Sequence, residues 1–482
     1  MRDEVVMGVD VGTTRVKAGV LTAAGAELYG VAAPTPWRLS ADGPQADPVE
    51  LGDVAVRVAA TAARRAMEDG RHVSALAVTG MAETGVLLDR QGRPLAPAYA
   101  WHHTLGDPTR VVEALGRGHF IEVTGRDCTI SPSIVKLDML RTQGHRFARG
   151  QRWLNVPDYV AWRLSGVQAA EISTATRTGL VDVPARAWWD EALEFLGAGR
   201  WLVAGDLVPG GIALGPTSPD GPPALRGVTV ATGGHDHPVA ALGAGATEPA
   251  SLAFSLGTAE AQVRIVTPPV STRDIRRIVE YGGTVDWHPL GDRLTVLGAV
   301  PAGITLMRLA QMLGCAGDAD RRALSEAALD VQPPTSLRLS DVTFDSFSLR
   351  GIGDGLSPAA LWRCAVDSVV ELSGDLTERI TMVLGPHARP VAFGGWLTDP
   401  LVARARRRQL GPTAVFCDLA EPGIVGAAVL AARAVGMPIS APGSVHTTGT
   451  DAGEGVSTQR NQDRPGTARH QLHSTENRET HT

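Results

Sequence analysis

Residues 4–28, EVVMGVDVGTTRVKAGVLTAAGAEL, alternate apolar and small side chains on both sides of a turn rich in glycine and threonine. This alternation predicts a β-hairpin of two strands, with Gly25 at a second turn. Apolar residues recur at helical spacing over residues 49–70, and a buried-strand pattern, VSALAVTG, follows over residues 73–80. A strand pair around an Asp/Arg/Gly turn is expected over residues 85–101, GVLLDRQGRPLAPAYAW. The order of hairpin, helix and strand indicates an α/β fold with a mixed sheet.

The same order of patterns recurs in the second half of the chain. SLAFSLGTAEAQVRIV, residues 251–266, predicts a strand, a Gly-Thr turn and a second strand. A long amphipathic helix is expected over residues 357–385, a strand over RPVAFGG, residues 389–395, and an alanine-rich helix over residues 421–436. Two copies of one topology would account for the 482 residues of the chain.

The recurrence predicts two domains, residues 1–243 and residues 244–440, each built on a mixed sheet. Residues 441–482 contain almost no apolar side chains. Such a segment buries too little surface to offset the entropy of ordering, so we expect a disordered tail.

Composition and charge narrow the class of partner. The net charge of −6 gives no excess of positive charge that would neutralise a phosphate backbone, so nucleic-acid binding is not expected. No apolar run reaches the roughly 18 residues that a membrane span needs, and the N-terminus lacks the pattern of an export signal. The four cysteines form no CxxC pair, which fits a reducing cytoplasm. We expect a cytoplasmic protein that binds small molecules.

The turn of the first hairpin has residues suited to phosphate. Asp10 ends the first strand, and Gly12, Thr13 and Thr14 form the turn that follows. Turn N–H groups and hydroxyls can bind phosphate oxygens, and a carboxylate in the position of Asp10 could hold a hydrated Mg²⁺. A plain hairpin turn is the alternative, since Gly-Thr turns are common.

Two further glycine turns follow predicted strands. Gly257 and Thr258 form a turn like the first, and Gly394 and Gly395 end a strand where a ligand could approach the backbone closely. A strand end packed against a helix would also explain the second pair. The sequence has no GxxxxGK[ST] and no GxGxxG after a strand, so nucleotide would have to bind by another geometry.

Residues 231–246, ATGGHDHPVAALGAGA, place an aspartate between two histidines. If this segment is extended, His235 and His237 share one face and Asp236 points to the other. A metal site would need a further ligand, which the histidines of AWHHTLGD, residues 100–107, could supply. The sequence has no HExxH, and a metallohydrolase stays open as an alternative.

In their order and spacing, these motifs resemble the FGGY family of carbohydrate kinases over residues 5–440. The matching segments are GVDVGTTRVKAG (8–19), GMAETGVLLDRQGRPLAPAYAWHH (80–103), WLNVPDYVAWRLSGVQAAEISTATRTGLVDV (153–183), GGHDHPVAALGAGA (233–246), SLGTAEA (255–261), and FGGW (393–396) with EPGIVGAAVLAA (421–432). The resemblance implies two actin/hexokinase-like, ribonuclease H-like domains around a cleft. It further implies Mg²⁺-dependent transfer of the γ-phosphoryl of ATP to a hydroxyl of a sugar, polyol or cyclitol, in a protein that forms a homodimer in many relatives.

The resemblance also assigns roles. It makes Asp236 the catalytic base and Asp10 the residue that positions the metal. The ATP-binding positions that it implies are Gly12, Thr13, Thr14, Gly257, Thr258, Gly394 and Gly395. The substrate-binding positions that it implies are Glu83, Trp101, His103, His235 and Asp236.

Two departures from the family pattern concern the substrate. The family segment often reads Trp-x-Asp-x-Arg, whereas WHHTL places His103 and Leu105 at the charged positions. Glu83 matches the substrate-binding glutamate of glycerol kinases, but their neighbouring arginine is Ala82 in this chain. An actin-like nucleotide-binding protein without kinase activity is therefore the second hypothesis.

Overall fold

The computed structural model describes residues 3–439, so the predicted tail, residues 441–482, lies outside the described residues. The elements up to the middle of the chain are β1 Asp3–Val11, β2 Arg15–Leu21, β3 Glu27–Pro34, β4 Arg38–Ser40, β5 Gly43–Ala46, α1 Pro48–Glu68, β6 Arg71–Gly80, β7 Gly85–Leu88, β8 Ala98–Tyr99, α2 Pro108–Leu115, α3 Arg117–Thr124, α4 Ser133–Thr142, β9 Arg152–Asn155, α5 Val156–Ser165, β10 Ala170–Glu171, α6 Ile172–Thr176, β11 Val181–Asp182, β12 Ala187–Trp188, α7 Asp190–Phe195, β13 Leu207–Val208, β14 Ala213–Pro216, β15 Thr229–His235 and α8 Asp236–Gly243. The remaining elements are β16 Leu252–Leu256, β17 Glu260–Val266, α9 Thr272–Glu280, β18 Gly283–Trp287, β19 Leu294–Val300, α10 Ala302–Met312, α11 Asp318–Ala328, β20 Arg338–Ser340, β21 Ser348–Arg350, α12 Pro358–Leu384, β22 Pro390–Phe393, α13 Pro400–Leu410, β23 Val415–Phe416 and α14 Pro422–Ala434.

The first large sheet has the order β14-β15-β6-β1-β2-β3. β1 and β2 form the predicted hairpin, and β6 and β15 continue the sheet in parallel with β1. Helix α1 packs on one face of this sheet and α14 on the other, so β1 is buried on both faces. The central strands are accordingly apolar without a polar side. The predicted hairpin, helix and strand are confirmed.

The second large sheet has the order β18-β19-β17-β16-β22-β23 and repeats the topology of the first. β16, β17 and β19 form an antiparallel meander, and β22 and β23 follow in parallel with β16. In the first sheet, β1, β2, β3, β6 and β15 have these same relations. The predicted recurrence and the α/β class with two mixed sheets are therefore confirmed.

Helices α8 and α14 follow the fifth strand of each repeat and pack against each other. Glycine makes this close contact possible, because a Cβ on Gly426 would overlap the carbonyl oxygen of Val239 and a Cβ on Gly243 would overlap that of Pro422. Helix α14 also packs on β1 and β6, although it comes from the end of the described chain. The division into domains at residues 243 and 244 stays a prediction.

The expected strand pair within residues 85–101 is wrong. β7 pairs with β9, and β8 pairs with β5. The turn at Asp89 forms, since its carboxylate accepts the N–H groups of Gln91 and Arg93. The returning chain then contains Pro94 and Pro97, which have no N–H to donate to a ladder, and only a single bridge to β7 remains.

Among the described helices, none has both the length and the apolar character to span a membrane.

Candidate active site

A cavity of about 260 Å³ lies between residues of the first half of the chain and β19. Ten of its lining residues come from the first half of the chain and Leu297, on β19, comes from the second. The full lining is Thr13, Met81, Ala82, Glu83, Trp101, Ser131, Arg177, His235, Asp236, His237 and Leu297.

The topology of the first sheet explains why these residues converge. β1, β6 and β15 are adjacent and parallel, so their carboxyl ends lie at the same edge of the sheet. Asp10 lies near the end of β1, Glu83 follows β6, and Asp236 follows β15. Residues far apart in sequence are thereby brought to one edge, which is the usual ligand-binding edge of such sheets.

Asp236 begins α8 immediately after His235 ends β15. The expectation that its side chain points away from the two histidines is wrong, because the chain turns from strand to helix here and the alternation of an extended segment stops. Ligand atoms of His235, Asp236 and His237 lie within 4.8 Å of one another, and neither histidine of residues 100–107 joins this group. The predicted further metal ligand is therefore not brought to the cluster.

Burial raises the pKa of Asp236, and His237 partly offsets this effect. The backbone N–H of His237 donates to Asp236 Oδ1 at 2.8 Å, while His235 Nε2 lies 3.2 Å from the same oxygen. The side chain of Asp236 keeps 28% exposure toward the cavity. A carboxylate with a raised pKa at the first turn of a helix is suited to accept a proton from a bound hydroxyl.

His235 is held by a buried hydrogen-bond chain. Its backbone N–H donates to Ser173 Oγ at 2.9 Å, and the Ser173 hydroxyl donates to Glu171 Oε2 at 2.7 Å. Burial raises the pKa of Glu171 to about 7. Burial and the nearby arginine Arg177 hold the pKa of the His235 imidazole well below its usual range, so this ring is neutral.

Asp10 has the features expected of a metal-positioning carboxylate. Burial, with the carboxylate of Asp236 nearby, raises the pKa of Asp10 to about 7 against the opposing effect of Lys17. Asp10 Oδ1 is buried and accepts no hydrogen bond from any described residue. A buried carboxylate oxygen without a partner fits a hydrated Mg²⁺, which prefers one or two carboxylates and keeps several waters.

Two side-chain donors bind the carbonyl oxygens of the first glycine turn. Thr35 Oγ1 donates to the carbonyl of Gly12 at 2.8 Å, and Trp37 Nε1 donates to the carbonyl of Thr13 at 2.6 Å. Thr13 lines the cavity, and Thr14 is exposed. The two hydrogen bonds fix the backbone of the turn beside the cavity.

The second glycine turn and the Gly394 turn contact the same strand end. A Cβ on Gly394, whose φ is 116°, would lie 2.6 Å from the carbonyl oxygen of Leu256, directly before Gly257. Gly257, Thr258 and Gly395 are exposed. These positions lie outside the lining of the cavity that contains Asp236.

Glu83 and Trp101 line the cavity, whereas His103 does not. Trp101 is 37% exposed, and its Nε1 donates to Thr13 Oγ1 at 3.2 Å. His103 is fully buried beside Tyr99, with ring centroids 4.9 Å apart. The substrate contact predicted for His103 therefore has no counterpart in the lining.

Sequence reasoning missed a group of charged residues at and beneath the cavity. Arg126 and Arg177 both contact Glu83, and Asp286 on β18 accepts from both arginines. Lys136, on α4, is buried and donates to the carbonyls of Trp101, Ile130 and Ser131. The available signal for Lys136 was a lysine inside the apolar run SIVKLDML in a chain with two lysines.

The family model of the FGGY family of carbohydrate kinases, N-terminal domain, matches residues 5–243. A xylulose kinase of Streptomyces coelicolor is 27% identical over 437 residues, which cover 89% of this chain and 87% of the relative. A glycerol kinase of Bordetella parapertussis is 27% identical over 419 residues, which cover 81% of this chain and 80% of the relative.

Solved structures share the fold. A xylulose kinase from Rhodospirillum rubrum superposes with a TM-score of 0.77 at 21% identity, covering 89% of this chain and 90% of that one. A Plasmodium falciparum glycerol kinase with ADP superposes with a TM-score of 0.79 at 14% identity, covering 91% of each chain. At these identities, the likeness concerns the arrangement of the two sheets.

Proposed function

Because the chain belongs to the FGGY family of carbohydrate kinases, we propose that it transfers the γ-phosphoryl group of ATP to a hydroxyl of a sugar, polyol or cyclitol. The observation that carries the proposal is the convergence of Asp10, Thr13, Glu83 and Asp236 at the carboxyl edge of the first sheet. Phosphoryl transfer needs positioning and charge stabilisation more than covalent chemistry, and these residues supply both.

Asp236 is the general base of the proposed reaction. Its carboxylate keeps access to the cavity and takes the proton of the attacking hydroxyl as the phosphoryl group transfers. The neutral imidazole of His235 lies 3.2 Å from this carboxylate and can contact the acceptor as a hydrogen-bond partner. The chain Glu171, Ser173 and His235 N–H fixes the end of β15 from which the base projects.

Mg²⁺-ATP binds across the glycine turns in this proposal. Asp10 would hold the hydrated metal, whose charge would neutralise phosphate oxygens. The predicted positions Gly12, Thr13 and Thr14 meet the phosphates from the first sheet. Gly257, Thr258, Gly394 and Gly395 meet the nucleotide from the second.

An uncharged acceptor fits the cavity better than a sugar acid. Arg177, which lines the cavity, and Arg126 are matched by Glu83 and Asp286, so these four residues leave no surplus positive charge for a carboxylate ligand. The nearby ammonium group of Lys136 is directed to backbone carbonyls. Glu83 and Asp236 are hydrogen-bond acceptors that match hydroxyl groups.

The test is ADP formation from Mg²⁺-ATP with xylulose, glycerol, gluconate and myo-inositol as acceptors. We expect at least one uncharged acceptor to stimulate ADP formation, and we expect D236N to lower kcat by about 100-fold or more. D53N, a change at an exposed aspartate on α1, is the control and should keep wild-type activity. A D236N enzyme with near wild-type kcat would refute the role of the base. ATP binding without any acceptor across the panel would favour the actin-like hypothesis.

A further inference from the structure

We propose that Asp286, which comes from the second sheet, is a positioning residue that fixes Glu83 through Arg126 and Arg177 and so sets the affinity for the acceptor. The inference rests on the proposed function, because it assigns a role in binding the acceptor of that reaction. Asp286 itself lies outside the lining of the cavity. It acts on the cavity through the two arginines.

Asp286 is bonded by both arginines. It lies on β18 and is 3% exposed. Its Oδ1 accepts from Arg126 Nη2 at 2.7 Å, and its Oδ2 accepts from Arg177 Nη1 at 3.0 Å. Thr284 shares this face of the strand, and its hydroxyl donates to Oδ2 at 2.7 Å. One carboxylate thus fixes the position of two guanidinium groups.

The other ends of the arginines converge on one oxygen of Glu83. Arg126 Nη1 donates to Glu83 Oε1 at 3.2 Å, and Arg177 Nε donates to the same oxygen at 2.7 Å. No described residue donates a hydrogen bond to Oε2, and Glu83 lines the cavity. Oε2 is therefore the acceptor that the site offers to a substrate hydroxyl.

Glu83 needs this support because its backbone is strained. Its φ is 61°, a left-handed conformation that costs a residue with a side chain free energy. Ser133 Oγ donates to its carbonyl oxygen at 3.0 Å, and the two arginines hold its carboxylate. A residue held in such a conformation moves when its contacts are loosened, so the position of Oε2 depends on the arginines.

The charge balance makes Asp286 the residue that controls the cluster. With Asp286 ionised, two arginines face two carboxylates in a buried site. Without it, two buried guanidinium groups face Glu83 alone, because their second partner has lost its charge. Their free N–H groups would then shift toward Oε2, the atom that receives the substrate.

A matched comparison tests this role. Asp138, on α4, is also a buried aspartate bonded by two arginines, Arg110 and Arg141, and it lies outside the cavity lining. We expect D286N to raise KM for the best acceptor of the panel about 10-fold, with kcat changed less, because a displaced contact weakens binding. D138N should leave KM unchanged, and D286E should restore part of the affinity. Equal KM values for D286N and the wild type would overturn the inference.

A double-mutant cycle separates positioning from general damage to the fold. If Asp286 acts through Glu83, D286N should have little further effect on KM when E83Q is already present. An equal fold-change in both backgrounds would show that Asp286 does not act through Glu83 and would overturn the inference. T284V removes one hydrogen bond to Asp286 and one from Arg177 Nη1 but keeps both charges, so it should raise KM in the same direction. It covers the case in which D286N fails to fold. If the wild type is active and neither D286N nor T284V changes KM, the inference is refuted and the proposed function stands. An inactive wild type would overturn both.

Discussion

The carboxylate of Asp10 lies at the end of β1, where Oδ1 is buried and receives no hydrogen bond from any described residue. Burial, with the nearby charge of Asp236, raises its pKa to about 7. A carboxylate in such a place weakens the fold when it is ionised, and an unpartnered oxygen is kept where a ligand will bind it. We therefore expect that removing the charge of Asp10 raises the stability of the fold but weakens the binding of Mg²⁺-ATP.

The stability prediction concerns D10N. The folded-state pKa lies above the value of 3.8 for a free aspartate, so the folded state binds a proton that the unfolded state has lost, and stability falls as pH rises from about 4 to 7. D10N keeps the shape and removes the charge, so we expect it to be more stable than the wild type by about 4 kcal/mol at pH 8, from the shift of the Asp10 pKa from 3.8 to about 7. The gain should vanish near pH 4. Urea unfolding at the two pH values measures it, and a D10N variant less stable than the wild type at pH 8 would contradict it.

The ligand prediction concerns Mg²⁺-ATP. A metal-positioning carboxylate must be ionised, and Asp10 loses its proton only near pH 7. We expect KM for Mg²⁺-ATP to rise about fivefold when the pH falls from 7 to 6, because the ionised fraction of Asp10 falls by that factor. In D10N, KM should be high at both pH values, because the titrating group is absent. Steady-state kinetics at saturating acceptor measures this, and a wild-type KM that does not change with pH would contradict the assignment of Asp10.

At the scale of secondary-structure elements, the contact between α8 and α14 depends on glycine. A Cβ on Gly426 would overlap the carbonyl oxygen of Val239, so alanine would push α14 away from α8 and from the first sheet. We expect G426A to lower the free energy of unfolding by about 3 kcal/mol through overpacking. Urea denaturation followed by circular dichroism measures the change.

Gly374 supplies the control for G426A. It also lies inside a helix, α12, but a Cβ there would meet only the flexible end of Gln409 at 3.2 Å. We expect G374A to be neutral or to stabilise by about 0.5 kcal/mol, because alanine favours the helix over glycine. If G426A and G374A had the same effect, the close approach of α8 and α14 would not need glycine.

The elements also show how far the sequence could be interpreted. The hairpin at residues 4–28 and its copy at residues 251–266 were predictable because alternation and turn residues are local signals. The pairing of β7 was not, because its partner β9 lies beyond the prolines that follow the Asp89 turn. Local patterns predict that a strand exists, but they contain little information about which strand pairs with it.

In the candidate site, too, local motifs were predictable and contacts between distant residues were not. Asp236 and the glycine turns could be named as candidates because short motifs carry them, and their roles stay predictions. The cluster beneath Glu83 was missed because Arg126 and Asp286 are separated by 160 residues and meet only through the packing of β18 on the first half. The turn from strand to helix at Asp236, which brings His235 and His237 to it, was likewise not visible in the alternation of the sequence.

At the scale of the whole molecule, the edge strand β18 of the second sheet forms hydrogen bonds with the first half of the chain. The N–H of Val285 donates to the carbonyl of Gly125 at 2.7 Å, and Trp287 Nε1 donates to the carbonyl of Val183 at 3.0 Å. The hydrophobic core of the second sheet includes Val183 and other apolar side chains from the first half. The described residues also belong to one compact unit. The two sheets therefore share buried surface that neither keeps alone.

This shared surface predicts a single unfolding transition. Losing the second sheet would expose apolar side chains of the first half and leave the charges around Asp286 without partners, so partial unfolding is costly. We expect urea transitions followed by far-UV circular dichroism, tryptophan fluorescence and loss of activity to coincide.

G125A should separate these transitions, because a Cβ at this position, where φ is 68°, would overlap the carbonyl oxygen of Val285 and weaken the contact between β18 and the first half of the chain. G166A is the control, since Gly166 ends α5 with a φ of 77° and open space around it, so alanine there costs about 1 kcal/mol of backbone strain without dividing the transition. Two separate transitions in the wild type would show that the halves unfold independently, and the contacts of β18 would then contribute little to the stability of the whole.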